Sequence, residues 1–316
     1  MNDIEIYGNI DKGQIFKKSL EKKNFLFSFV ISYTATSEIP GITFAGSNPE
    51  LIQFTPPADA EFLHYGYCKS IDQIPMTPDG KPTPALLTKV ALESASIPHV
   101  VINAGSKVNP QLPFIQTELP FGKNITQGPS MDESSFLKAV DYGRIIGRTL
   151  ASLTNCLVIG ESIPGGTTTA LAVMRGLGID AKVSSSIPKN PVELKNRIVT
   201  NALKNISTDD TFDIASDLGD SMIHFVSRMI STATEVSRVI LAGGTQMAAV
   251  LSFGRSLGFN TDKLAIGTTS YIVDDTTANF LEIIKNVADI PILVVNPHLD
   301  KSNIDGLKAF ANGFAK

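Results

Sequence analysis

Cysteine is scarce. The 316 residues hold only Cys68 and Cys156, far apart and in neither a CxxC pair nor a Cys/His cluster. That spacing excludes a disulfide framework and a thiolate metal site, and it fits reduced, buried thiols in a cytosolic protein. Histidine is equally thin: four residues, scattered, without ligand spacing, so no metal is expected. Positive charge is not in surplus. A net charge of −4 provides no global basic field for nucleic acid or an anionic membrane, though it leaves room for a local anion site. Long apolar runs are missing too. The longest, Phe25 to Tyr33, is too short to cross a bilayer and contains Ser28 and Ser32. The opening segment carries early acids and no apolar stretch of the kind that a secretion signal needs. A soluble, cytoplasmic protein is the expectation.

What is present is a large core and a regular alternation. Hydrophobic residues make up 43% of the chain. The length is about two ordinary domains, yet a single α/β unit can run this far, and one domain over residues 1–316 is expected. Short β-rich runs start at Asn24, His99, Asn155, Ser237, Lys263 and Pro291. Their near-continuous apolar character suits parallel strands covered on both faces. Helical periodicity fills the intervals: Pro84–Ser94, Glu133–Leu153, Thr168–Leu177, Pro191–Lys204, Leu218–Thr232, Gln246–Leu257 and Ala278–Val287. Strands alternating with helices predict a doubly wound, mainly parallel sheet with flanking helices, leaving the terminal segments for a small helical subdomain.

Ligands in such sheets bind beyond the carboxyl ends of the strands. Three Gly/Thr-rich segments fall there. The sharpest is Gly160-Glu161-Ser162-Ile163-Pro164-Gly165-Gly166-Thr167-Thr168-Thr169, between a strand and a helix. Its glycines let backbone N–H groups approach an anion, and the helix start and threonine hydroxyls add donors, so a phosphate monoester is the natural guest. A plain strand-to-helix turn with a threonine cap is the competing reading. The pattern is not a nucleotide-triphosphate loop, because Gly166 stands where lysine is required. Glu161 is placed to accept a ribose hydroxyl or a base proton. The second turn, Gly243-Gly244-Thr245, repeats the same logic, or simply permits close packing. In the third, Asp274 and Asp275 precede a helix, where one can cap it while the other faces the cleft. The loops Ile74–Pro84 and Val108–Pro129 are placed to act as lids or to be ordinary surface connections.

Taken in order, these segments resemble the nicotinate-nucleotide–dimethylbenzimidazole phosphoribosyltransferase family of cobalamin biosynthesis. Gly128-Pro129-Ser130-Met131 is similar to that family's Gly-Pro-Ala-Met, and Gly160-Glu161 with Gly165 to Ala170 is similar to its Gly-Glu-Met-Gly-Ile-Gly-Asn-Thr-Thr-Ala run. The best-matching core spans 128–280. Ala242-Gly243-Gly244 stands where the family has Asp-Gly-Phe, and the first hundred residues look like a divergent archaeal or cyanobacterial branch.

The resemblance implies transfer of ribose 5-phosphate from nicotinate mononucleotide to 5,6-dimethylbenzimidazole or a related base, without a cofactor, by a homodimer. It lays Asp274-x-Thr276-x-Ala278 on the family's Glu-x-Thr-x-Ala, making Asp274 the expected catalytic base and Glu161 a second carboxylate. Position agrees: Asp274 follows the strand-like run Tyr271-Ile272-Val273, while Asp275, one residue nearer the helix, is the expected cap. Gly165, Gly166, Thr167, Thr168, Thr169, Gly243, Gly244 and Thr245 are the expected donor-binding residues. A non-catalytic binder of a phosphorylated nucleotide, or the same fold using adenine or a phenol as acceptor, are the alternatives.

Overall fold

The computed structural model describes residues 3–43, 45, 49–76, 80–187 and 189–311. Among these the strands are β1 (Ile4–Gly8), β2 (Phe25–Ile31), β3 (His99–Asn103), β4 (Ile115–Gln116), β5 (Cys156–Ser162), β6 (Arg238–Ala242), β7 (Leu264–Thr269) and β8 (Pro291–Val295). The helices are α1 (Ile10–Ser19), α2 (Thr55–Tyr65), α3 (Ala85–Ala95), α4 (Glu133–Ala151), α5 (Gly166–Gly176), α6 (Val192–Leu203), α7 (Thr211–Leu218), α8 (Ser221–Val236), α9 (Thr245–Leu257), α10 (Ser270–Val273), α11 (Phe280–Val287) and α12 (Asp305–Ala311). They form an α/β fold around one sheet of order β1-β8-β7-β6-β5-β2-β3-β4. All neighbours are parallel except the edge strand β1, which runs antiparallel to β8. The expected strands and helices are all present, within a few residues at their ends. The terminal segments supply α1 and α12 but also β1, which the sequence did not signal.

The two sheet faces are covered differently. One carries the main core. Leu157, Ile159, Val239, Leu241, Leu264 and Ile266 pack there under helices that include α4, α5, α8, α9 and α11. The α8 helix lies so deep that its neighbour must approach through glycines: a Cβ at Gly143 or Gly147 of α4 would run into the carbonyl oxygens of Phe225 and Met229. On the other face, Ala60, Leu63 and Leu92 of α2 and α3 cover Phe27, Phe29, Ile31 and Val101. At the far end Phe16 of α1 covers Ala265 and Leu293. Between those clusters Val158, Ile240 and Ala242 stay half-buried.

The chain leaves β2 toward β3 and β4, but leaves β5 toward β6, β7 and β8. The strand order therefore reverses between β2 and β5. Adjacent crossovers part company at such a point and leave a crevice at the strands' carboxyl ends. Glu161 and Ser162 close β5 at this crevice, in register with Val30 and Ile31 of β2.

Candidate functional site

A cleft of about 1010 Å³ opens at the carboxyl ends of β5, β6 and β7 and continues down the half-covered sheet face. Its walls are built from the turns at 161–167 and 242–246, the serines at 184–186, Gly267 to Thr269 and, from the opposite side, Asp59, Thr83 and Pro84. Toward its far end it becomes apolar, with Phe25, Phe29, Ile240 and Leu293.

Three carboxyl groups converge on the crevice from different elements. Glu161 comes from β5. Asp59 comes from α2, where Thr83 Oγ1 and Ser162 Oγ donate to its two oxygens, each at 2.7 Å. Asp220 caps α8, accepting from the Ile223 N–H at 3.0 Å and from the Thr169 hydroxyl at 2.5 Å. None of the ion pairs among the described residues reaches any of the three. Burial, with the charges of Asp220 and Asp59 close by, pushes Glu161 up to about 8. Burial also raises Asp59 and Asp220 to about 6, against the hydrogen bonds that favour their ionised forms. Glu161 nonetheless keeps an opening to the cleft. A carboxyl group poised near neutral pH beside an open pocket can give or take a proton.

The glycine-led turns face the same space. Gly165 adopts the left-handed conformation, φ +71°, and a Cβ there would press on Ser37 at 2.8 Å. The N–H of Gly166 is spent on Ile163 O and that of Thr168 on Gly165 O, while that of Thr167 finds no acceptor among the described residues. The start of α9 differs. There the backbone N–H groups of Gly244, Thr245, Gln246 and Met247 all lack an acceptor among the described residues. Four free donors at a helix start make an anion seat. Thr245 Oγ1 lies 3.1 Å from Ser184 Oγ, tying the serine loop to this seat. Behind the loop, Lys195 is 1% exposed and donates to Ser184 O at 2.8 Å. Burial lowers its pKa to about 8, although Asp275 nearby works the other way.

Of the residues expected from sequence, Glu161, Gly165, Gly166, Thr167, Gly243, Gly244 and Thr245 line the cleft. Thr168 and Thr169 do not. Both are fully buried, Thr169 being committed to Asp220 and to Gly166 O. The 3.6-residue period lets only one of three consecutive threonines face the ligand side. Asp274 is exposed and is not among the cleft-lining residues; it ends α10, a helical turn where the run Tyr271-Ile272-Val273 had suggested a strand. Asp275 is buried and caps a turn through the Thr277 N–H, whereas α11 begins only at Phe280, with Asn279 at its cap position. The loop at 108–129 does not line the cleft. Gly122 pairs with Thr34, and Pro120 O accepts from Ser221 Oγ, so this loop braces the crevice from behind. Thr83 and Pro84 of the other expected lid do line the cleft, while residues 77–79 lie outside the described residues.

Sequence reading missed Asp59, Asp220, Ser184, Lys195 and Gln246. A signal existed for Asp220, since Asp-Ser before an apolar helix is a cap pattern. Nothing local marks Asp59 as a cleft residue. Among the described residues no group of three or more His, Cys, Asp or Glu could hold a metal ion, and no helix is long and apolar enough to cross a membrane.

A family model described as phosphoribosyltransferase matches residues 89–268. The chain belongs to that phosphoribosyltransferase family. The matched stretch runs from α3 to β7 and takes in Glu161 and both glycine turns, but neither Asp59 nor Asp274. The UPF0284 protein of Archaeoglobus fulgidus is 44% identical over 305 residues, 96% of this chain and 88% of the relative. That of Methanothermobacter thermautotrophicus is 37% identical over 326 residues, 99% of this chain and 89% of the relative. A solved nicotinate-nucleotide–dimethylbenzimidazole phosphoribosyltransferase from Thermus thermophilus superposes with a TM-score of 0.59 at 18% identity, covering 78% of this chain and 69% of that one. At that identity the likeness is one of fold. Membership of the family makes the protein an enzyme, a phosphoribosyltransferase, and its cleft sits where a doubly wound sheet binds ligands.

Proposed function

We propose that this phosphoribosyltransferase moves ribose 5-phosphate from nicotinate mononucleotide to 5,6-dimethylbenzimidazole or a related azole, giving an α-ribazole-type 5′-phosphate and nicotinate. The observation that carries the reading is the carboxyl of Glu161, set at the crevice without an ion-pair partner among the described residues and beside the N–H groups that open α9. The donor phosphate sits on the start of α9, opposite Thr167. The nicotinate leaves as its ring nitrogen takes back the C1′–N electron pair, which needs no acid because that nitrogen is already cationic. The acceptor's unprotonated ring nitrogen forms the new bond to C1′, and its N–H proton passes to the carboxylate of Glu161.

A cluster of acids with no ion-pair partner suits a guest that brings positive charge of its own. The pyridinium donor lowers the pKa of Glu161 on binding, so the group becomes a base when the substrate is in place. Opposed negative charge also stabilises the positive character that builds at C1′. The apolar far end of the cleft suits a flat aromatic acceptor, and alignment of the two rings supplies proximity. Asp274 would act at this centre only if its turn moved inward.

The test is direct. Purified protein incubated with nicotinate mononucleotide should release nicotinate when dimethylbenzimidazole is added, and form the ribosylated base. No release with benzimidazoles, adenine or phenols would sink the proposal. A homodimer belongs to the same reading, supported by the exposed Leu137 and Ile145 of α4 and Leu153 just beyond its end. Light scattering should then give twice 33.8 kDa, and a monomer mass would reject it.

A further inference from the structure

Gln246 occupies the first turn of α9 and lines the cleft, yet its carboxamide is left without a partner. The residue is 9% exposed, and its Oε1 is buried with no hydrogen bond among the described residues. Nε2 makes none there either, and it is not enclosed as Oε1 is. Buried polar groups are nearly always hydrogen-bonded, and one that is not calls for a missing partner.

The neighbouring backbone is shaped around this side chain. A Cβ at Gly166 would come within 2.9 Å of Gln246 Nε2, so glycine at the start of α5 is what leaves the amide its place. The carboxamide therefore lies between the two glycine-led helix starts, beside the N–H groups assigned to the phosphate. A phosphate only accepts hydrogen bonds at its charged oxygens, and the free N–H groups of α9 already meet that need. An amide oxygen cannot join them, because it requires a donor. On a phosphorylated ribosyl compound the donors near the phosphate are the sugar hydroxyls, and a vicinal diol can both give to Oε1 and receive from Nε2.

We propose that Gln246 is the specificity-determining residue that reads the ribosyl hydroxyls of the donor and so selects ribosyl over deoxyribosyl compounds. This rests on the phosphoribosyl-transfer reading above. A site that buries a polar group for a substrate hydroxyl discriminates against the analogue lacking it, because the protein group is then left unpaired.

The experiment is calorimetric binding of nicotinate mononucleotide and of its 2′-deoxy and 3′-deoxy analogues. It compares the unaltered protein with Gln246→Leu, and with Gln246→Met should the branched side chain not fit. The unaltered protein should favour the full ribosyl compound over at least one deoxy analogue by about tenfold. The variants should lose that preference, binding all three compounds alike. They should melt no lower than the parent, since an unpaired buried amide has been removed. If the parent binds nicotinate mononucleotide and a variant keeps the preference, Gln246 does not read the sugar while the transfer reading stands. A parent that discriminates between none of the three also overturns the inference. A parent that fails to bind nicotinate mononucleotide at all overturns both.

Discussion

The starts of α5 and α9 look alike in sequence: each follows a strand and reads Gly-Gly-Thr. Their backbones do different things. At α5 the glycines serve packing. Gly165 takes a left-handed turn against Ser37, Gly166 makes room for Gln246, and much of the turn's hydrogen bonding is internal. At α9 the first N–H groups have no acceptor among the described residues, and the flanking glycines are under less pressure: a Cβ at Gly244 would make only ordinary contact, 3.4 Å, with Ile272. A glycine pair before a helix is thus no assignment of an anion site. Following each N–H to its acceptor is what separates a structural turn from a binding one.

Glu161 stands between the two starts, and its replacement should have the largest effect while leaving both turns intact. Glu161→Gln should lower turnover by about 10²–10⁴-fold, the usual loss of a general base, with donor affinity retained in calorimetry. Turnover within a few fold of the parent would move the proton acceptor elsewhere, with Asp274→Asn the next variant to assay.

At α9, Thr245→Pro removes one free N–H at the first helical position, where proline is accommodated. Hydrogen bonds to a charged group are worth about 1.5–3 kcal/mol, so donor binding should weaken by about ten- to a hundredfold relative to Thr245→Ala, which controls for the lost hydroxyl. Equal affinities for the two variants would remove α9 as the seat. At α5 the damage should be to folding instead. Gly165→Ala forces a side chain into the left-handed region and onto Ser37, at a cost of about 1–3 kcal/mol in denaturant unfolding. Its donor affinity, measured below the melting transition, should stay near the parent's.

A smaller effect is readable in pH. The folded-state pKa of Glu161, about 8, lies above its unfolded value of about 4.3. The folded chain therefore holds the proton more tightly, and stability is greatest below the unfolded value and falls as pH rises toward 8. Asp59 and Asp220, raised to about 6, add a fall that ends nearer pH 6. Melting temperature should drop between about pH 5 and pH 8, and in Glu161→Gln the drop should be confined to the lower part of that range. A flat profile in the parent would mean that Glu161 is ionised throughout.

Sequence showed the sheet well, because buried parallel strands are read from short apolar runs and their glycine or proline borders, and β2, β3, β5, β6, β7 and β8 are of that kind. It missed β1, which is a polar-flanked edge strand with only one neighbour. Its reading of Tyr271-Ile272-Val273 as strand-like followed local β-propensity, which the close of β7 into α10 overrides. At the site it found the glycine turns and Glu161, whose chemistry is local. It could not find Asp59 beside Ser162 or Asp220 beside Thr169, since those pairs lie 103 and 51 residues apart and meet only through the fold.

The most direct measurement is a crystal structure of the protein with nicotinate mononucleotide. The phosphate should lie within hydrogen-bond distance of the Gly244, Thr245 and Gln246 N–H groups, with C1′ turned toward the Glu161 carboxyl. A phosphate bound elsewhere, or C1′ pointing away from Glu161, would contradict the proposed transfer.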